Sequence, residues 1–206
     1  MKEQFTRKRI TKSAEDLFAA FDFSDVSMRS ISNRAKVNIS SIYYYYQSKE
    51  ELFEHILKET EQFIILHLPF NRKMDSPIDQ LLGFTADFLN RLLGDNNLIL
   101  IFLKARISNV DAGVREYIDR IEAMVSSNLD ALLNQCRRLG TFTLDIPNQI
   151  IINVFFIMMT EAGLYKRRYL LPYLDTIHCS GQDEFLVSQL NRLRQPIEAL
   201  FRYILV

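Results

Sequence analysis

Val37-Asn38-Ile39-Ser40-Ser41-Ile42-Tyr43-Tyr44-Tyr45-Tyr46-Gln47-Ser48-Lys49-Glu50-Glu51-Leu52 is the stretch that decides the fold. A helix advances about 100° per residue, so the four consecutive tyrosines point in four different directions. One packed face cannot hide all of them, and some phenols must reach outward. Hydroxylated rings on a very short helix, with Lys49 just beyond, suit contact with a phosphate backbone and base edges. Taken alone, the run also fits a patch shared between core and surface.

The residues upstream sharpen that choice. Ser27-Met28-Arg29-Ser30-Ile31-Ser32-Asn33-Arg34-Ala35 reads as one short helix. Ser27 is a good N-cap, because its hydroxyl can accept a bond from an orphan backbone N–H. Met28, Ile31 and Ala35 make a single apolar stripe. Lys36-Val37 forms a tight turn, and Asn38 caps a second short helix over Ile39 to Tyr45. Two short helices joined by a three- to four-residue turn form a helix-turn-helix. Ser40 and Ser41 keep the start of the second helix small and polar, as close approach to bases and phosphates requires.

The spacing Leu17-Phe18-x8-Ser27-x3-Ile31-x3-Ala35-x-Val37-x5-Tyr43-x5-Lys49-Glu50-x-Leu52 resembles the DNA-binding domain of TetR-type transcriptional repressors, over roughly residues 5 to 57. Beyond that stretch the likeness is one of length and helical character. The resemblance implies that Ser27 and Arg29 hold phosphates. It places Asn38, Ser40 and Ser41 at the reading end of the recognition helix. Tyr43, Tyr44 and Tyr45 would supply phosphate bonds and apolar base contacts, and Lys49 would grip a phosphate beside a helix N-terminus. Tyr44 and Tyr45 are expected to face DNA and Tyr43 to serve both core and DNA. Ile31, Val37, Ile42 and Tyr46 read as core. Three residues depart from the pattern. Asp22 and Lys36 stand where glycines are usual, and Tyr46 where phenylalanine is usual. At Lys36 a positive φ is expected, at a cost of about 1 kcal/mol for a residue with a Cβ.

Charge divides the chain in the same place. Residues 1–49 hold nine Lys/Arg against five acids, a net of +4, and the remaining 157 residues have a net of −4. That asymmetry suits a nucleic-acid module joined to something else. The chain has 206 residues, 48% of them hydrophobic, and none of its six glycines precedes Gly83. The N-terminus lacks an apolar signal core, and the longest apolar runs, Leu98 to Leu103 and Ile150 to Met159, are too short to span a bilayer. Cys136 and Cys179 stand apart in the sequence and read as reduced thiols. These features fit a cytoplasmic chain with no membrane association and no cofactor.

The pattern predicts an all-α chain of two domains. Residues 1–48 form the helix-turn-helix domain and 49–206 a helical regulatory and dimerisation domain, with helix 49–67 as connector. Further helices are expected over 77–93, 96–107, 113–139, 147–169 and 182–205. Leu186, Leu190, Leu193, Ile197, Leu200 and Ile204 recur at 4, 3, 4, 3, 4, a seam for a facing helix, interrupted by Pro196. Ile150 to Met159 is apolar nearly all round and reads as a helix buried on several sides. Together these two helices resemble the pair that forms a four-helix bundle between protomers in the family. A homodimer also follows from function, since one helix-turn-helix reads only half of a pseudo-palindromic operator.

Phe63, Phe84, Phe88, Phe102, Tyr117, Met124, Phe155, Met158 and Met159 are large or pliable apolar residues on the middle helices, suited to lining a small-molecule cavity. Asn153, Thr160 and Glu161 are the polar candidates there, and Glu161, if buried, favours a cationic ligand. A hydrophobic or amphipathic effector is expected, shifting the protein to a state whose half-site spacing does not fit DNA. The other reading gives the C-terminal domain only dimerisation or a protein partner. Catalysis is not expected. Di-iron bundles need two Glu-x-x-His motifs, whereas Leu52, Ile64 and Asp175 stand three residues before the three histidines.

Overall fold

The computed structural model describes residues 2–67, 74–94, 97–140 and 146–170, together with Ser188, Arg192, Gln195 and Ala199. The described residues form helices and connecting turns, with no strand among them. The helices are α1 (Lys2–Ala20), α2 (Met28–Ala35), α3 (Ile39–Tyr45), α4 (Lys49–His67), α5 (Pro77–Leu93), α6 (Leu98–Ile107), α7 (Ala112–Arg138) and α8 (Asn148–Tyr165). A 3-10 turn, Phe23–Asp25, follows α1, and α8 runs into a π-helical segment, Lys166–Leu170.

Helix boundaries follow local capping chemistry, at Ser27 and Asn38 as expected. The Ser27 hydroxyl accepts from the Ser30 N–H at 3.0 Å while the Ser30 hydroxyl accepts from the Ser27 N–H at 3.0 Å, a reciprocal capping box. Asn38 Oδ1 accepts from the Ser40 N–H at 3.1 Å. The Ser48 hydroxyl accepts from the Glu51 N–H at 3.1 Å. Ser76 caps α5 with Pro77 in the first turn, where its missing N–H costs nothing. Gly140, at φ 67, closes α7 in the left-handed conformation that glycine adopts freely.

Two compact units result, residues 1–66 with 97–122 and residues 67–96 with 123–206. All of α4 up to Leu66, the whole of α6 and the start of α7 pack with α1–α3 in the first unit. Its core contains Ile10, Ala14, Phe18, Ile31, Ile42, Leu52, Phe53 and Ile56, with Ile99, Phe102, Val114 and Ile118 from the later helices. Phe18, Phe23 and Phe53 form an aromatic cluster with centroids 4.7–5.8 Å apart.

A buried lysine explains why α6 belongs here. Lys104 Nζ donates to the carbonyls of Phe18 at 3.2 Å, Ala19 at 3.3 Å and Phe21 at 2.8 Å, with Asp22 at 3.7 Å. These carbonyls end α1 and have no helical partner of their own, so a cation there satisfies them and complements the helix dipole. Nothing in the linear spacing joins residue 104 to residues 18–21.

The second unit is centred on α5 and α8. Phe84 and Phe88 from α5 meet Phe155 at centroid distances of 5.9 and 5.1 Å, and Phe156 lies 5.5 Å from Phe155. Leu81, Leu89, Leu92, Ile151, Ile152 and Met159 are buried in the same unit. Helix α8 is buried on several sides, as expected, but one face is exposed. Ile150, Ile157 and Tyr165 are 51%, 61% and 40% exposed, and Asn153 and Glu161 are exposed on the same face. The apolar content of α8 therefore serves two surfaces.

A candidate nucleic-acid interface

Helix α3 has seven residues, too short to be stable without tertiary anchors. Ile42 supplies one and is fully buried. Tyr46, the C-cap residue, supplies the other, being only 2% exposed. Its hydroxyl lies 3.0 Å from Thr11 Oγ1 and accepts from Arg7 Nε at 3.2 Å. These anchors turn the opposite side of α3 outward. Ser40, Tyr43 and Tyr44 are exposed there, with Tyr43 at 51% and Tyr44 at 74%. Ser41 and Tyr45 are half-buried at the flanks, and the Tyr45 ring meets the edge of Tyr44 at 5.0 Å. Tyr44 and Tyr46 lie as expected, outward and in the core, whereas Tyr43 and Tyr45 exchange places. Tyr43 is the more exposed and Tyr45 the more packed, because Tyr43 lies further round from Ile42.

The turn before α3 is built on Lys36, whose φ of 51° and ψ of 47° put it in the left-handed region. That conformation costs a residue with a Cβ about 1–2 kcal/mol. Backbone bonds hold it, from Lys36 N–H to Asn33 O at 3.2 Å and from Val37 N–H to Ser32 O at 3.2 Å. The Ser32 hydroxyl donates to Val37 O at 2.8 Å. The Arg9 guanidinium donates to the carbonyls of Ala35 and Lys36. Lys36 therefore does not distort the helix-turn-helix; α1 supports it.

The remaining expected contacts fall into two groups. Arg29 and Asn38 are exposed, and the capped Asn38 keeps its amide hydrogens to offer. Ser27 is exposed, with its oxygen engaged in the capping box. Lys49 has an internal role that its spacing did not reveal. Its ammonium donates to Phe23 O at 2.7 Å and sits 4.2 Å from the centre of the Phe23 ring, tying the start of α4 to the turn after α1.

The residues expected to line an effector cavity are divided between the two units. Phe84, Phe88, Phe155 and Met159 are buried in the second unit, with the three rings in mutual contact, and Met124 and Met158 are half-buried. Phe63, Phe102 and Tyr117 belong to the first unit. Tyr117 is half-buried under cations, with Lys58 5.3 Å and Arg120 4.2 Å from its ring, and the Arg120 hydrogen bond lowers its pKa. Glu161 is exposed rather than buried, which removes the basis for a cationic ligand, and Asn153 is exposed too. Thr160 is buried and spends its hydroxyl on Phe156 O at 2.8 Å. Composition identified apolar residues of the right size, but it could not say which helix each would face. An open groove of about 690 Å³ in the first unit, lined by Phe5, Arg7, Lys8, Glu15, His55 and Glu59 among others, contains none of the expected residues.

Leu186, Leu190, Leu193, Ile197, Leu200 and Ile204 lie outside the described residues, as does Cys179; Cys136 is buried. Among the described residues, no helix is long and apolar enough to cross a membrane, and no group of His, Cys, Asp and Glu could hold a metal ion.

Comparison with known proteins picks out the same segment. Residues 10–56 match the family described as bacterial regulatory proteins, tetR family. Over 54 residues the chain is 41% identical to the "Probable HTH-type transcriptional regulator YttP" of Bacillus subtilis (strain 168), a match spanning 26% of each protein. Solved structures extend the likeness in fold to nearly the whole chain. The fatty acid degradation regulator FadR of Bacillus halodurans superposes with a TM-score of 0.66 at 18% identity, covering 96% of this chain and 94% of that one. FadR of Bacillus subtilis, solved with stearoyl-CoA, gives 0.61 at 20% identity over 92% and 96%. AibR, solved with isovaleryl coenzyme A and operator DNA, gives 0.68 at 14% identity over 91% and 97%. A capped helix-turn-helix opens an all-α fold, and residues 10–56 of it carry the N-terminal domain of the tetR family of bacterial regulatory proteins.

Proposed function

We propose that this protein is a cytoplasmic, sequence-specific DNA-binding transcriptional regulator that acts as a homodimer on a pseudo-palindromic operator. The observation that carries this reading is the outward face of α3. Ser40, Tyr43 and Tyr44 stand exposed beside Asn38 and Arg29, while Ile42 and Tyr46 fix the helix from behind. Phenols, hydroxyls and an amide supply both donors and apolar edges for a major groove. Selection of DNA sites from a random pool with purified protein tests it. A two-fold symmetric site should emerge, and changes at Ser41 or Tyr44 should alter its sequence. Recovery of no preferred site would refute the reading.

The exposed stripe of α8 supports dimerisation. Ile150, Ile157 and Tyr165 recur over four turns on one exposed face. Repression, relieved by a hydrophobic or amphipathic effector, completes the proposal. The apolar, aromatic-rich second unit supports it, as does the binding of acyl-coenzyme A by FadR of Bacillus subtilis and by AibR. An acyl-CoA series of increasing chain length is therefore the first probe, read by thermal shift and by release from the selected operator. The close ring contacts of Phe84, Phe88 and Phe155 favour the other reading, a second unit that only dimerises or binds a protein. Absence of both shift and release across the series and a broad lipophilic set would decide for it.

A further inference from the structure

We propose that Lys36 is itself a DNA-contacting residue, held at the reading head in a backbone conformation that glycine would adopt without strain. The proposal rests on the DNA-binding reading above and adds a residue to it. Lys36 alone among the described non-glycine residues has a positive φ. Every bond that holds the turn uses the main chain around it. The Lys36 N–H reaches Asn33 O, its carbonyl accepts from Arg9, and its neighbours Ala35 and Val37 are held by Arg9 and Ser32. None of these bonds uses the lysine side chain, and glycine would keep them all. A cation is favourable at the C-terminus of α2, but Arg9 already places one there.

The side chain is thus free for another task. It is exposed and makes no hydrogen bond or ion pair among the described residues. It precedes the N-cap Asn38 by two residues and the outward Ser40 by four, at the end of α3 that must approach the groove. A flexible four-carbon stem carries its ammonium beyond the turn to a phosphate flanking that groove. The residue would add affinity without reading sequence.

The test uses the full-length protein and its selected operator, with affinity measured across salt concentrations beside a thermal melt. Lys36→Gly should melt no lower than the parent. It should nevertheless bind about fivefold more weakly per protomer near physiological salt, and the log–log salt slope should shrink by about 0.9 per protomer. Lys36→Asn, which tolerates the left-handed conformation, should bind like Lys36→Gly, whereas Lys36→Arg should retain the parental slope. Arg29→Ala serves as a reference for losing an expected phosphate contact. Unchanged affinity and slope in Lys36→Gly, alongside a loss in Arg29→Ala, would overturn this proposal alone. Weaker binding with an unchanged slope would also overturn it, by assigning the loss to the turn rather than the charge. A parent protein that selects no operator would overturn the DNA-binding reading and this proposal with it.

Discussion

Replacing Tyr46 with phenylalanine removes one oxygen atom from behind the recognition helix. That oxygen lies 3.0 Å from Thr11 Oγ1 and accepts from Arg7 Nε at 3.2 Å, with Tyr46 and Thr11 only 2% and 7% exposed. Thr11 Oγ1 also donates to Arg7 O at 3.2 Å, so the Tyr46 hydroxyl is the donor to Thr11. In Tyr46→Phe, Thr11 keeps that main-chain bond and exposed Arg7 turns to water. The loss should therefore equal the net worth of about one buried hydrogen bond, roughly 1–1.5 kcal/mol. Thr11→Val does the reverse and strands the buried phenol, at about 1–3 kcal/mol. The double variant leaves an apolar pair, so the cycle should show a coupling of about 1 kcal/mol. The chain has no tryptophan, so denaturant unfolding is best followed by helical circular dichroism. A melt of Tyr46→Phe should fall by about 2–6 °C. Two single variants that add to the double within about 0.3 kcal/mol would refute the coupling. So would a Tyr46→Phe protein as stable as the parent.

Other perturbations probe other joints. Lys104→Met should destabilise the first unit by about 1.5–3 kcal/mol, because charge-assisted bonds to the carbonyls of Phe18, Ala19 and Phe21 are lost; an unchanged denaturation midpoint would show that the ammonium does not hold the end of α1. Burial lowers the His55 pKa, so the unfolded chain takes up that proton first. Stability should therefore fall as pH drops below about 6.5, and His55→Gln should flatten that limb. Burial raises the Glu15 pKa, so its contribution has the opposite sign. Stability should decline as pH rises from about 4.3 through the raised folded value, and Glu15→Gln should abolish that decline in a pH series of unfolding curves. Ile157→Asp alters a side chain already 61% exposed, so the fold should persist while dimer mass and operator affinity fall together; sedimentation showing an intact dimer would count against the α8 face.

Local chemistry was legible in the sequence, and long-range partnership was not. Ser27 and Asn38 each cap a helix where their spacing placed them, since a cap depends on neighbours two or three residues away. The left-handed turn at Lys36 was readable for the same reason. The compact units were not, because Lys104 reaches Phe18 across 86 residues and draws α6 to α1. Helix α8 shows the limit of composition. A helix apolar on all sides can be wrapped by its own chain or can keep one face for a partner. Only the exposure of Ile150 and Ile157 separates these cases.

The basic residues of α1 reveal a second limit, and it bears directly on DNA binding. Counted along the sequence, they are five of the nine Lys/Arg of the first 49 residues. In the structure Arg7 supports Tyr46, Arg9 supports the turn at Lys36, and Lys12 lies 3.3 Å from Glu15. Outside α1, Arg34 pairs with Asp16 at 2.9 Å and Lys49 with Phe23 O. Much of the cationic charge therefore holds the reading head together instead of facing phosphates. Arg7 with Thr11 fixes the C-terminal end of α3, and Arg9 fixes the turn at its N-terminal end. A seven-residue helix clamped at both ends by α1 can present Ser40, Tyr43 and Tyr44 in one orientation, which specificity requires. Affinity must then come from few cations, chiefly Arg29 and Lys36 among those exposed near α3. The salt slope should accordingly be shallow for each protomer, smaller than a count of the nine Lys/Arg would give. A slope near that count would mean that the α1 arginines leave their internal partners on binding, and the clamp would then be a feature of the free protein alone.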